Sequence, residues 1–262
     1  MGLFRSLIIG LLILAIPVAL ITTNIRFAAS EHRVYDYSVR QYDAASTSGI
    51  SQTELLRANS ELVRYFKADD PGPLRIEVQD HSGQLVPLFN ARETAHLADV
   101  RDLFQALFTL QIVAVAAVLT LAVTMLVLWP VRALAAAAFY GSLLTFGVVG
   151  LTGLVAVTGG FDAGWTHLHS LVFSNDLWRL NPASDHLIQM FPEAFWREIS
   201  VLIGAFTLLQ ALLISGAAAA YLILSRPKEA AAAPPEARPS LPRPQLPTHP
   251  RIAPPDPRRY VH

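Results

Sequence analysis

The chain has 262 residues, 53% of them hydrophobic, with 20 basic residues against 20 acidic ones and a positive mean hydropathy. So even a balance gives no electrostatic reason to expect a nucleic-acid partner. There is no cysteine, which excludes disulfides, thiol nucleophiles, cysteine-ligated zinc and modification of the chain itself as a cysteine-anchored lipoprotein.

The apolar residues are gathered in four blocks free of Asp, Glu, Lys and Arg: Leu7 to Ile21, Leu107 to Leu128, Leu134 to Val157 and Val201 to Leu224. Runs of roughly twenty such residues match a hydrocarbon core about 30 Å thick, so the chain reads as a polytopic membrane protein. The first block is short, and Arg5 before it with Ala28 and Ala29 beyond also suits a signal peptide. An uncleaved anchor is the expectation, because an even number of spans places both long loops on one side. Met1-Gly2 with Ser6 matches the loose myristoylation pattern only weakly.

Basic residues in the short flanks set the orientation. Arg5, Arg132 and the basic residues after Leu224 fall on one side, and the acidic excess of segments 24–105 and 158–200 falls on the other. Both termini are therefore expected in the cytoplasm. The expected fold is an α-helical polytopic membrane protein with four transmembrane helices. Its parts are 1–23, 106–129, 134–157 and 201–224 as spans, 24–105 as a small α+β extracytoplasmic domain, 130–133 as a cytoplasmic turn, 158–200 as an extracytoplasmic interfacial or re-entrant loop, and 225–262 as a tail.

Within the first outer segment, Val34, Tyr35, Val39 and Tyr42 recur at helical spacing, which predicts a helix continuing from the first span. Ser51 followed by Glu54 predicts a capping box opening a helix from Gln52 to about Lys67, with Leu55, Leu62, Val63 and Phe66 as its apolar stripe. "DDPGP" at 69–73 stops that helix, and the alternation in "LRIEVQDHSGQLVPLF" predicts a β-hairpin. A module this small buries a thin core, so it is expected to pack onto the membrane helices.

Trp129-Pro130 ends the second span, and the very short turn after it predicts that the second and third spans pack as an antiparallel pair. Gly147, Gly150 and Gly153 in the third span read as positions of close helix approach. The tail carries eleven of the eighteen prolines and reads as disordered. Its Pro239 and Pro242 have the spacing of a polyproline ligand for a cytoplasmic partner.

Two stretches suggest chemistry. In "ETAHLADVRDLF", Glu93 to Phe104, His96 and Asp99 share a helix face just ahead of an apolar block. In Gly164 to Trp196, a segment too apolar for a solvated loop is too rich in His, Asn, Asp and Trp for a span. Its Trp165, Trp178 and Trp196 suit an interfacial aromatic belt, and His167 and His186 suit exposed or structural places. His169 with His96 supplies two imidazoles from two segments on one membrane face, and histidine can take and return a proton near neutrality. Asp99 is placed to hold the His96 ring in one tautomer.

Those residues also sit in recognisable patterns: "E-x-x-H-L-x-D-V" from Glu93 to Val100, "H-x-x-x-F-x-N-D-x-W" from His169 to Trp178, and "D-x-L-I-x-x-F-P-E-x-F-W" from Asp185 to Trp196. Over about residues 1 to 225 the chain resembles the bacterial lipoprotein intramolecular transacylase (Lit) family and its uncharacterised four-span relatives. Leu97 stands where that family is expected to carry Met, and Leu168 where Phe is expected, which leaves room for a shifted substrate. The resemblance implies transfer of the sn-2 acyl chain of a diacylglyceryl lipoprotein to its N-terminal amine, giving the lyso form. His96 and His169 are then the expected catalytic pair, His96 deprotonating the amine with Asp99 orienting it and His169 protonating the leaving glyceryl oxygen or supporting the oxyanion, with the two able to exchange roles and Asn175 donating to the oxyanion. Asp176, Trp178 and Glu193 are expected to shape the loop, and no cofactor or metal is called for. Two other readings remain: a metal-dependent hydrolase ligated by His96, Asp99, His169 and Asp176, and a membrane sensor whose tail recruits a partner.

Overall fold

The computed structural model describes residues 2–225, except 71 and 81. The proline-rich tail expected at 225–262 therefore lies, beyond its first residue, outside the described residues, as does its P-x-x-P pair.

Among the described residues, four helices are long and apolar enough to cross a membrane: α1 (Gly2–Ser30), α5 (Ala91–Leu128), α6 (Val131–Gly159) and α9 (Glu193–Leu224). Between them lie α2 (His32–Gln41), α3 (Ala44–Ser48), α4 (Gln52–Lys67), strands β1 (Glu77–Gln79) and β2 (Leu85–Pro87), α7 (Phe161–Val172) and α8 (His186–Met190). Each apolar block thus sits inside a longer helix, and α5 and α9 carry charged turns well beyond theirs.

Polar side chains tie the apolar helices together. Asn24 of α1 donates to Thr207 (3.0 Å) and Gln210 (2.8 Å) of α9, Arg26 donates to Gln111 of α5 (2.9 Å), and Arg132 of α6 donates to the Leu222 carbonyl (3.1 Å). Away from water such bonds replace hydration that lipid cannot supply.

The expected pairing of the second and third spans is corrected. α1 packs against both α5 and α6, whereas α5 and α6 meet little. The reason lies at one glycine. A Cβ on Gly141 would stand 2.6 Å from Ile16 Cδ1 and 3.3 Å from the Ile13 carbonyl oxygen, so only a bare Cα lets α6 come this close to α1. Pro17, inside α1, has no N–H to give that same Ile13 carbonyl, so the close approach falls where the helix ladder is already open. Gly147, Gly150 and Gly153 have nothing within 4 Å of where a Cβ would be, so they are not the close-approach positions.

The expected continuous helix from the first span also gives way. α1 ends at Ser30, and Glu31 turns extended (φ −103°) to cap α2, its carboxylate accepting the Arg33 amide (3.3 Å) and pairing with the Arg33 guanidinium (2.9 Å). α4 spans the residues expected, and Leu55, Leu62, Val63 and Phe66 are all buried. Its capping box is half formed. Ser51 accepts from the Glu54 amide (3.3 Å), but the Glu54 carboxylate turns to Arg57 (2.8 Å) and the Gln79 amide (3.1 Å), fastening the hairpin instead. β1 and β2 pair antiparallel, Val78 opposite Val86.

The core around α4 does not stop at residue 105. Leu187, Met190 and Phe191 from α8 and its end, and Phe195 and Ile199 from α9, join Tyr35, Val39, Leu62, Phe66 and Leu97 in one cluster. Tyr35 meets Phe191 edge to face at 5.6 Å, and Ser38 donates to the Met190 carbonyl at 2.6 Å. Each large apolar side chain buried there contributes roughly 1.5–3 kcal/mol. The two long segments between spans therefore fold as one unit.

Replacing Gly141 with Val is expected to destabilise the protein by about 1–3 kcal/mol through overpacking. Thermal unfolding in detergent should show that loss, and Gly150→Val, made in the same helix, should unfold like the parent.

Candidate functional site

The site forms where the first turns of α5 meet the segment between α6 and α9. Asn90 and Glu93 start α5 with a complete capping box: Asn90 Oδ1 accepts the Glu93 amide (3.0 Å) and Glu93 Oε2 accepts the Asn90 amide (2.8 Å). The other carboxylate oxygen of Glu93, a residue only 1% exposed, accepts the amide of Leu187 at 2.6 Å. Asn90 Nδ2 donates to Asp185 Oδ1 (3.0 Å), and His186 Nδ1–H donates to the Leu88 carbonyl (2.6 Å). Asp185 also accepts the Asn181 amide at 2.7 Å, the main reason its carboxyl is held below the usual range. One turn along from Glu93, His96 is 6% exposed, and its Nδ1 is buried without a hydrogen bond.

Gly160, at φ +83°, turns the chain from α6 into α7, a backbone angle that glycine takes without steric cost. Along α7 and its end, Phe161, Trp165, His169 and Phe173 recur every four residues and touch in sequence, with ring centroids 5.5, 4.7 and 5.6 Å apart. Trp196 stacks on Trp165 at 5.3 Å and Trp178 lies 5.2 Å from His169. The His96 ring stands 6.1 Å from His169 and edge-on to Phe173 at 5.3 Å. The two imidazoles, 73 positions apart in the chain, thus share one aromatic-walled site.

His169 Nδ1 lies 2.8 Å from the Trp165 carbonyl oxygen. A carbonyl only accepts, so Nδ1 carries the proton and Nε2 keeps its lone pair. Burial pushes the His169 pKa below the ordinary imidazole value, with the Trp165 carbonyl pulling the other way. The ring is therefore neutral at pH 7, with a basic nitrogen in known orientation.

A family model described as lipoprotein intramolecular transacylase Lit matches residues 10–196. The chain belongs to the Lit family. The in meso crystal structure of the membrane-integral Lit from Bacillus cereus is similar with a TM-score of 0.72 at 18% identity, over 86% of this chain and 98% of that one. Two variants of that protein, with one histidine replaced by arginine or by alanine, give TM-scores of 0.68 and 0.69, each at 18% identity over 85% of this chain. They cover 93% and 95% of those chains. At that identity the likeness is one of fold. No curated protein sequence matches the chain.

The remaining sequence candidates of this Lit-family chain have partners of their own. Asp99 does not meet His96 Nδ1; its Oδ2 accepts from Asn175 Nδ2 at 2.9 Å. Asn175 Oδ1 accepts the Leu177 amide (3.0 Å), and Asp176 pairs with Arg179 (2.9 Å). Trp178 carries the Arg179 guanidinium 4.9 Å from its ring centroid, and its Nε1 is buried without a hydrogen bond. Glu193 stands in the first turn of α9 beside Asp162 of α7. Trp165, Trp178 and Trp196 gather at His169 or the ring beside it rather than standing apart. His167 is exposed and His186 holds the Leu88 carbonyl. Leu97 packs in the main core, and Leu168 lies exposed on α7.

Of the four residues named for a metal-dependent hydrolase, Asp99 is bonded to Asn175 and Asp176 to Arg179, and among the described residues no three His, Asp or Glu side chains are grouped to hold a metal. Sequence reasoning passed over Phe161 and gave Phe173 no role beyond its place in the motif, although their four-residue spacing with Trp165 and His169 was a readable signal. It also passed over Arg92, which has none.

Nitrogen-15 NMR of histidine-labelled protein should show His169 as the Nδ1–H tautomer with a titration midpoint below 6.5. Since the unfolded chain takes up that proton first, burial of His169 costs stability as pH falls through 6.5, and none above it. A midpoint at or above 6.5, or an Nε2–H ring, contradicts this description.

Proposed function

We propose that the chain catalyses intramolecular O-to-N acyl transfer on a diacylglyceryl lipoprotein, from the sn-2 ester to the N-terminal cysteine amine. Membership in the Lit family supports a lipoprotein transacylase in general. The observation that carries the specific chemistry is the His169–Trp165 hydrogen bond, which leaves Nε2 basic in a site shared with a second imidazole. In this reading the two long segments and the site face the outer side of a bacterial cell membrane.

The free amine attacks the ester carbonyl carbon. As the C–N bond forms, the nitrogen becomes acidic and His169 Nε2 takes its proton. The resulting imidazolium hands that proton to the glyceryl oxygen as the C–O bond breaks, leaving an amide and a free sn-2 hydroxyl with no net change in protons. A neutral, half-buried imidazole suits this cycle. It is too weakly basic to strip an ammonium with a pKa near 8, but strong enough for the attacking nitrogen, and its cation is a strong acid toward the departing oxygen.

His96 contributes a neutral N–H to the ester oxygen, and the second N–H of Asn175, whose first goes to Asp99, supports the oxyanion. Donor and acceptor belong to one substrate molecule, so holding amine and ester in near-attack geometry supplies much of the rate. Acyl chains reach the site from the outer leaflet.

The test is expression in a cell that makes diacylated lipoprotein, followed by mass spectrometry of the lipoprotein's N-terminal peptide. The parent protein should yield the N-acylated lyso form, and His96→Ala or His169→Ala should leave the diacyl form. An unchanged peptide pool with well-expressed parent protein rejects the proposal. Removal of residues 227–262 should leave the conversion intact, whereas a sensor that works through its tail would lose its function.

A further inference from the structure

We propose that Arg92 is a positioning residue for this reaction, pinning segment 173–178 along the stripe of α5 that carries His96 and so holding Trp178 against the His169 ring. The proposal rests on the transacylase reading for its kinetic consequence and on geometry for the rest.

Arg92, His96 and Asp99 lie four and three residues apart, hence on one face of α5. Segment 173–178 touches all three. Phe173 meets the His96 ring edge-on at 5.3 Å, and Asn175 Nδ2 donates to Asp99 at 2.9 Å. Arg92 Nη2 donates to the Asp176 carbonyl at 2.6 Å, with Nε at 3.4 Å from the Leu177 carbonyl. The next residue, Trp178, is the one seated 5.2 Å from His169. In chain order these ties fall on His96, Asp99 and then Arg92, so the segment is a strap that folds back over the stripe and is held at three points.

The strap has no helix or strand of its own, and Ser174, Asn175 and Asp176 are exposed, so its place depends on these ties. Arg92 suits the task because a guanidinium presents several N–H groups in a rigid fork that meets two successive carbonyls, whereas a lysine ammonium is a single point donor. Asp176 is already paired with Arg179, so Arg92 acts on the strap's backbone and not on its charge. The titratable and charged groups bearing on His96 are His169 from α7 and Asp99 from its own helix, with Arg92 and Glu93 one turn back and Asp176 and Arg179 on the strap. Loosening the strap opens His96 to water, lets Trp178 leave His169 and shifts Asn175 from the oxyanion, while the two imidazoles stay in place.

The experiment compares the full-length parent with Arg92→Ala and Arg92→Lys in detergent. Two quantities are read: the rate at which diethyl pyrocarbonate modifies His96 relative to exposed His167, by peptide mass spectrometry, and kcat and KM for acyl migration on a diacylglyceryl-cysteinyl peptide. Arg92→Ala should raise the His96/His167 modification ratio several-fold and lower kcat by roughly 10- to 100-fold with KM little changed, the scale expected when reacting groups lose alignment. Arg92→Lys should recover part of both.

A kcat loss without faster modification of His96, or faster modification with parental kcat, overturns the proposal. If the parent itself moves no acyl chain, the transacylase reading fails, and an unchanged modification ratio in Arg92→Ala then overturns the strap independently.

Discussion

Glu93 is a carboxylate shut away from water that holds two parts of the chain at once. One oxygen closes the capping box that starts α5, and the other takes the amide of Leu187, 94 residues further along. Desolvating a carboxylate is costly, and two N–H groups aimed at it offset part of that cost, burial still holding its pKa above the usual range. Deleting the side chain would strand both amides, at about 1–3 kcal/mol for each group left buried and unpaired. Because Glu93 fixes where α5 begins against the α8 region, it also fixes where His96, one turn later, stands relative to α7. The Asn90–Asp185 and His186–Leu88 bonds repeat the same tie on either side.

This arrangement suits a reaction that needs alignment more than chemical force. Both reacting groups of the proposed substrate are on one molecule, so the protein's task is to exclude water, hold an ester carbonyl near an amine and move one proton. The aromatic ladder on α7 provides an apolar wall, and a main-chain carbonyl orients His169. In a catalytic triad a carboxylate does that orienting. A carbonyl sets the tautomer without adding negative charge, which keeps the imidazole weakly basic and its cation strongly acidic. Asp99, the carboxylate expected to do the orienting, instead fastens the strap.

Much of the helical framework was legible in the sequence because its causes are local. Charge-free runs near twenty residues long can satisfy their backbone in lipid only as helices, so all four long helices were visible, and Ser51 with the Leu55, Leu62 and Phe66 stripe bounded α4 to the residue. The helix partners were not legible, since they depend on what one side chain meets on another element. Gly147, Gly150 and Gly153 form a stripe of small residues, yet the close approach is at Gly141, where Ile16 happens to lie. At the site, His96 and His169 stood out by residue type and motif. The hydrogen bond that leaves His169 Nε2 its lone pair, and the carbonyls that Arg92 holds, are main-chain contacts that no residue identity announces.

The central claim is that the two imidazoles act together on one acyl transfer. Single-turnover rates for His96→Ala, His169→Ala and the double substitution test it, because groups serving one step are grossly non-additive. The account predicts that the double variant is no slower than the slower single one. Losses that multiply, or a single variant that keeps the parental rate, would contradict it.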